Sequence, residues 1–277
     1  MIIIRVFGGL GNQLFQYAFG QFMAKKLDRN VLYDFSYFTK DRLREPSILS
    51  YNFEIEKVPY KQVKKYLPFK SFRLNSIYNK IFNSKTFCEK EAPLDLSQSV
   101  LYFHNYWQDK AYSNSVLQLT KEHFFITNNS EKLIALAEKI SNTSSVSIHI
   151  RRGDYLLKEN QKIFTQLPPR FFINATALLE KHTKGKLNYF VFSDDLAWAK
   201  SHLSTLKNCQ FIADNEDYED LFLMSICKHN IISNSTFSWW AATLNKNSDR
   251  IIIAPSDWFN GDLLKTEQLL FKEWIRL

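Results

Sequence analysis

The sequence predicts an α/β protein built as two Rossmann-like lobes facing a cleft, and three observations lead there. Over the second half, short β-branched or aromatic runs alternate with segments of helical period, the signature of βαβ units and a parallel sheet. The first 33 residues read as strand, glycine turn, helix, strand, the opening of another such sheet. At 277 residues the chain can bury two modest cores.

Taken in order, Ile2–Val6 is a strand, GGLGN (8–12) the turn, Gln13–Leu27 a helix and Val31–Tyr33 a second strand. From about 40 to 100 the periodicity is poor. A helix covers Glu131–Ile140, followed by strand Val146–Ile150, helix Pro169–His182 and strand Leu187–Phe192. Then come helix Leu196–His202, strand Gln210–Ala213, helix Tyr218–Cys227, strand Asn230–Ile232, helix Phe237–Leu244 and strand Arg250–Ala254. The expected division is 1–140 and 141–277, with the last helix packing back on the first lobe.

Composition narrows the function classes. No apolar run reaches the roughly 20 residues of a membrane span, and the start MIIIRVFGGLGNQ is interrupted by Arg5, unlike a signal peptide. Cys88, Cys209 and Cys227 are odd in number and widely spaced, which suits a reducing compartment and suggests a cytoplasmic protein. A net charge of +8 suits an anionic partner without identifying it. Nine Lys or Arg fall between Lys57 and Lys90 against one acid, Glu89, with Leu74, Ile77, Tyr78, Ile81 and Phe82 at helical spacing. That basic amphipathic stretch is either a solvated helix face or a contact with an anionic membrane surface.

Ligands of open parallel sheets lie beyond the carboxyl ends of the strands, and four polar clusters fall there. HIRRGD (149–154) ends the strand SVSIHI. Alternation places His149 and Arg151 on one face, with Arg152 pointing away. A planar guanidinium suits a diphosphate because it offers two charge-assisted bonds at once. Arg151 is therefore assigned to phosphates, and Arg152 to a supporting ion pair with Asp154. The alternative is a salt-bridge cluster at the sheet edge. SDD (193–195) ends LNYFVF; Asp194 or Asp195 caps the next helix, or accepts the N–H edge of a guanine. NSTFSWWAA (234–242) puts Ser235, Thr236 and Ser238 at a helix N-terminus, as caps or anion ligands, with Trp239 and Trp240 packing the helix on the sheet. GGLGNQLFQYA (8–18) is only part of a dinucleotide fingerprint: Gly9 and Gly11 fit, but Leu14 occupies the last glycine position and no acid follows. Asn12 at that helix start can meet a substrate. There is no D-x-D, HExxH, GxSxG or GxxxxGK[ST] motif and no His/Cys cluster, so nothing calls for a metal.

GGLGNQLFQYA, HIRRGDY, YFVFSDD and NSTFSWWAA, in this order, resemble the α-1,2-fucosyltransferases of glycosyltransferase family 11, and YWQDK (106–110) resembles a further segment of that family. The resemblance spans nearly the whole chain and contributes least at 40–100. It implies a GT-B fold, GDP-fucose as donor, inversion at the anomeric carbon, and no metal or other cofactor. It implies an acceptor-side first lobe and a GDP-sugar-binding second lobe. Carried over, Arg151 holds the β-phosphate, while His149 and one of Asp194 or Asp195 lie near the guanine. Ser235 and Thr236 contact donor phosphate, Asn12 lies near the sugar or bridging oxygen, and Gly11 beside it is donor-binding. The general base is open between Asp154 and His149. The acceptor expected is a galactose-containing, lipid-linked oligosaccharide, with the enzyme peripheral at the inner face of a membrane. The competing readings are a GT-B transferase using another GDP-sugar and a non-enzymatic basic protein binding membrane or nucleic acid; nucleic acid is not the expected partner.

Overall fold

Three parallel strands in the order β2-β1-β3 make the sheet of the first part of the chain: β1 (Ile2–Arg5), β2 (Val31–Asp34) and β3 (Leu101–Phe103). The computed structural model describes all residues except 40–45, 67–73, 75–95, 97–98, 128 and 261–265. Most of the basic stretch 57–90 therefore lies outside the described residues, as do Ile77, Tyr78, Ile81, Phe82 and Cys88.

Between β1 and β2 runs α1 (Leu10–Leu27), which starts at the glycine turn, earlier than its apolar period suggests. Its inner half is buried nearly all round, from Leu10 and Gly11 through Gln13–Gly20, so it is a central helix and not an amphipathic surface one. Gly8 has φ +78, the left-handed turn conformation that glycine adopts without penalty. The pattern does not announce β3, because its aromatic run LYFHNYW lacks alternation. Short helices α2 (Tyr60–Tyr66), α3 (Lys110–Ser115) and α4 (Leu117–His123) complete this part.

The chain divides into two units, Met1–Phe124 and Phe125–Leu277. The division falls ahead of the boundary expected at 140 and moves α5 (Glu131–Ser141) into the second unit. That unit holds a six-stranded all-parallel sheet, ordered β6-β5-β4-β7-β8-β9. Its strands are β4 (Ser145–Ile150), β5 (Asn188–Ser193), β6 (Cys209–Phe211), β7 (His229–Ile231), β8 (Ile252–Ala254) and β9 (Ile275–Arg276). Its other helices are α6 (Lys158–Gln161), α7 (Pro169–His182), α8 (Leu196–Leu203), α9 (Asp217–Ser225) and α10 (Thr236–Leu244). The final described element is the edge strand β9, where the sequence reading puts a helix packing back on the first lobe.

The predicted alternation along β4 holds. Val146, Ile148 and Ile150 join one core with Tyr189, Val191 and Ile231, covered by Phe171, Phe172, Ala175 and Leu179 of α7. Ser147 faces a buried polar set instead: Asn230 Nδ2 donates to Ser147 Oγ at 2.7 Å, and Asn245 Nδ2 donates to Asn230 Oδ1 at 2.8 Å. Mutual satisfaction is what lets these groups be buried. Among the described residues, no helix is long and apolar enough to cross a membrane.

Candidate functional site

Strand register assembles the site in the second unit. Ile150 pairs with Ser193 across β4 and β5, and Ile148 pairs with Ile231 across β4 and β7. The segments that follow these three central strands therefore leave the sheet side by side at its carboxyl end. They carry the sequence-predicted clusters HIRRGD (149–154), SDD (193–195) and NSTFSWWAA (234–242).

Arg151 is held at both ends of its fork. Nη2 donates to Asp154 Oδ1 at 2.7 Å and Nη1 lies 2.9 Å from Asp194 Oδ2, with the side chain about a third exposed. The ion pairs thus run otherwise than the sequence suggests. Asp154 supports Arg151, while Arg152 Nε donates to Asp195 Oδ2 at 3.1 Å and its guanidinium stacks 4.2 Å over the Trp198 ring. The reason is that α8 starts immediately after SDD. Asp195 caps it, Oδ1 accepting from Trp198 N at 3.0 Å, and this turns its second oxygen towards Arg152. Asp194 Oδ1 accepts from the Arg152 backbone N–H at 2.8 Å. Both carboxylates proposed for a guanine edge are thus engaged inside the cluster.

Gly153 permits this arrangement. A Cβ there would lie 2.6 Å from Asp194 Oδ2 and 3.2 Å from its Cγ. Tyr155, which the sequence reading assigned no role, ties the turn to the next cluster: its hydroxyl donates to the Asn234 carbonyl at 2.8 Å and its ring stacks on Phe164 at 4.3 Å. Arg151 sits 5.7 Å over the same ring. Burial, the largest cause, raises the Tyr155 pKa and keeps the phenol neutral.

Ser235 caps α10, its Oγ accepting from Phe237 N at 3.3 Å, and Thr236 is the first helical residue. Ser238 Oγ is buried and turns back to the Ser233 and Ser235 carbonyls, each at 3.3 Å. Trp239 and Trp240 are fully buried, as their packing role requires.

His149 is buried, with Nδ1 2.8 Å from Ser233 Oγ and the ring beside Phe237. Desolvation, helped by the Arg151 charge, pushes its pKa down from 6.5 to about 3, so the imidazole is neutral at working pH. An unfolded imidazole protonates near pH 6.5 and the folded one only near 3. Between those values the unfolded chain binds more protons, so stability is full above the window and falls as the pH drops through it. Going from pH 7 to 5 is expected to cost about 2 kcal/mol from this residue alone. Urea midpoints at both pH values measure it. His149→Gln shrinks the loss by about that amount, and an unchanged pH slope in the variant refutes the assignment.

The remaining sequence-predicted residues, Gly11 and Asn12, lie in the first unit. Two buried glutamines pin the glycine turn: Gln13 Nε2 donates to the Gly8 carbonyl at 3.0 Å, and Gln16 Oε1 accepts from Phe7 N at 3.0 Å. Asn12 Oδ1 accepts from Gln108 Nε2 at 2.8 Å, which joins GGLGN to YWQDK. Trp107 makes this possible in an unusual conformation, φ +54, held by face-to-face stacking on Phe19 at 3.9 Å. A bulky residue in that region costs on the order of 1–2 kcal/mol, which the ring packing offsets.

Comparison with known proteins agrees with this picture. The profile of "Glycosyl transferase family 11" matches residues 1–277. The chain is 31% identical to the O-antigen biosynthesis glycosyltransferase WbnK of Escherichia coli, covering 98% of each protein. It is also 31% identical to an α-1,2-colitosyltransferase of Escherichia coli, covering 100% of this chain and 99% of the relative. The crystal structure of NodZ α-1,6-fucosyltransferase soaked with GDP-fucose superposes with a TM-score of 0.56 at 15% identity, over 88% of this chain and 91% of that one, and so shares the GT-B-like fold.

Proposed function

The chain belongs to glycosyl transferase family 11, a glycosyltransferase with a GT-B-like fold, and on that premise we propose that it moves L-fucose from GDP-fucose to the 2-hydroxyl of a galactose on a glycan acceptor. The observation that carries the donor assignment is the partly exposed Arg151, fixed by Asp154 and Asp194 at the carboxyl end of β4. Its neighbours include Tyr155, bonded to the start of the α10 segment. A guanidinium and a helix N-terminus together favour a diphosphate.

In this reading the acceptor oxygen attacks C1 of fucose as the C1–O bond to phosphate breaks, inverting the anomeric carbon. Arg151 and the α10 N-terminus, with Ser235 and Thr236, take up the charge that develops on GDP, work a metal would otherwise do. His149, with its pKa pushed to about 3, is too weak a base and serves as a neutral binding group. Asp154, one oxygen of which is engaged by Arg151, is the base candidate that remains. Asn12, fixed by Gln108, is assigned to the transferred sugar. An O-antigen type of acceptor is supported by the name of the WbnK relative. The basic stretch from Lys57 on would suit an acceptor presented at an anionic membrane surface.

The α-1,2-colitosyltransferase relative favours one second reading, transfer of a colitosyl group with the same linkage. Incubation with GDP-fucose and a panel of galactose-terminated oligosaccharides, with and without EDTA, decides. The expected product carries fucose α-1,2-linked to galactose, at a rate EDTA leaves unchanged. Turnover only with a colitosyl donor would replace the fucose assignment. Activity lost to EDTA and restored by Mn²⁺ would overturn the metal-free mechanism.

A further inference from the structure

The carboxyl end of the first unit's sheet carries a second cluster. Arg5 ends β1 and pairs in register with Asp34 at the end of β2, while His104 directly follows β3. Asp34 is fully buried and satisfied locally, accepting from Tyr102 Oη at 2.6 Å and Ser36 N at 2.8 Å. Arg5 differs: its Nε is buried and has no hydrogen-bond partner. A guanidinium nitrogen left in that state costs free energy, so it marks a place where a ligand or water has a hydrogen bond to accept.

Aromatic rings surround the same strand ends. Phe7 lies 4.8 Å from Tyr106, 5.8 Å from Tyr37 and, edge-on, 4.9 Å from His104. Tyr106 is 42% exposed, and its ring would touch a Cβ placed on Gly8, at the turn that positions Asn12. Burial and the Arg5 charge push the His104 pKa down to about 4, so it is a neutral imidazole that adds no second cation. A half-open aromatic shelf edged by one guanidinium and one neutral imidazole is neither a hydrophobic core nor an anion trap. It matches a pyranose, whose apolar C–H face lies on aromatic rings while its hydroxyls meet polar edges.

We propose that Tyr106, Phe7 and Tyr37 form the stacking shelf for a pyranose ring of the acceptor, with Arg5 and His104 bonding its hydroxyls. The inference rests on the transferase reading for the word acceptor, but the binding claim is tested apart from it.

The probes are methyl β-galactoside and lactose, followed by saturation-transfer NMR on the full chain, with GDP binding scored separately on the same samples. In the wild type, saturation is expected on the C–H protons of the galactose ring. Tyr106→Ala weakens that binding about tenfold, Tyr106→Phe restores it, and GDP binding changes less than about twofold in both. Arg5→Met weakens sugar binding to a similar extent. Should it unfold, the exposed Tyr106 still carries the test. No sugar signal in the wild type, unchanged sugar affinity in Tyr106→Ala, or an equal loss of GDP binding each overturn the shelf. Absence of GDP binding with an intact sugar signal would instead refute the donor assignment.

Discussion

Arg151→Lys is expected to lower turnover by roughly 100- to 1,000-fold, the effect of losing one group that stabilises a developing oxyanion, while the fold survives. The geometry says why a positive charge alone does not suffice. The guanidinium reaches Asp154 with Nη2 and Asp194 with Nη1 at once, and it still has N–H groups left for phosphate oxygens. A lysine ammonium is a single point on a flexible stem; it can satisfy one carboxylate but not span both and face a ligand. The measurements are kcat with GDP-fucose and the melting temperature. A variant with near-normal kcat would remove Arg151 from the chemistry. A variant with a collapsed melting temperature would make it a structural residue.

Gly153→Ala is expected to reduce turnover by about 10- to 100-fold and stability by about 1–3 kcal/mol, a large effect for one methyl group. The added Cβ would stand 2.6 Å from Asp194 Oδ2. Asp194 has nowhere cheap to go. Swinging aside breaks its contact with Arg151 at 2.9 Å and its bond from the Arg152 backbone at 2.8 Å. The methyl group therefore acts on Arg151 through Asp194, and a double-mutant cycle exposes that route. In an Asp194→Ala background, Gly153→Ala is expected to add little. Fully additive losses in kcat would show that Gly153 matters for another reason.

Much of the candidate cluster was legible in the residues, because parallel α/β sheets gather polar segments at strand ends and HIRRGD, SDD and NSTFS all follow apolar runs. A helix cap from Asp194 or Asp195, Trp239 and Trp240 as packing residues, and the split of β4 into an apolar and a polar face were legible for similarly local reasons. The wiring among the clusters was not. Pairing Arg152 with Asp154 was a reasonable guess from spacing along one turn, but the real partners come from the neighbouring strand. Asp194 lies 43 residues from Arg151 (194 − 151) and Asp195 lies 43 from Arg152 (195 − 152), and register across β4 and β5 selects them. Gly153 gave no signal, since a glycine in a turn is unremarkable until the side chain opposite it is known. β3 and β9 were missed for a related reason. Three-residue and two-residue strands hold too little periodicity to announce themselves, and they form because an existing sheet offers an unpaired edge.

The sequence by itself determined the alternation of strands and helices in the second half, the helix starts there to within a residue, and the chemical types gathered at strand ends, because propensity, capping and period depend on residues a few positions apart. Only the tertiary structure decided which carboxylate holds which arginine, that burial leaves His149 neutral, that Gln108 fixes Asn12, and that Arg5 Nε is buried without a hydrogen-bond partner. Those outcomes depend on register, desolvation and close approach between segments far apart in the chain, and none of these has a local signature.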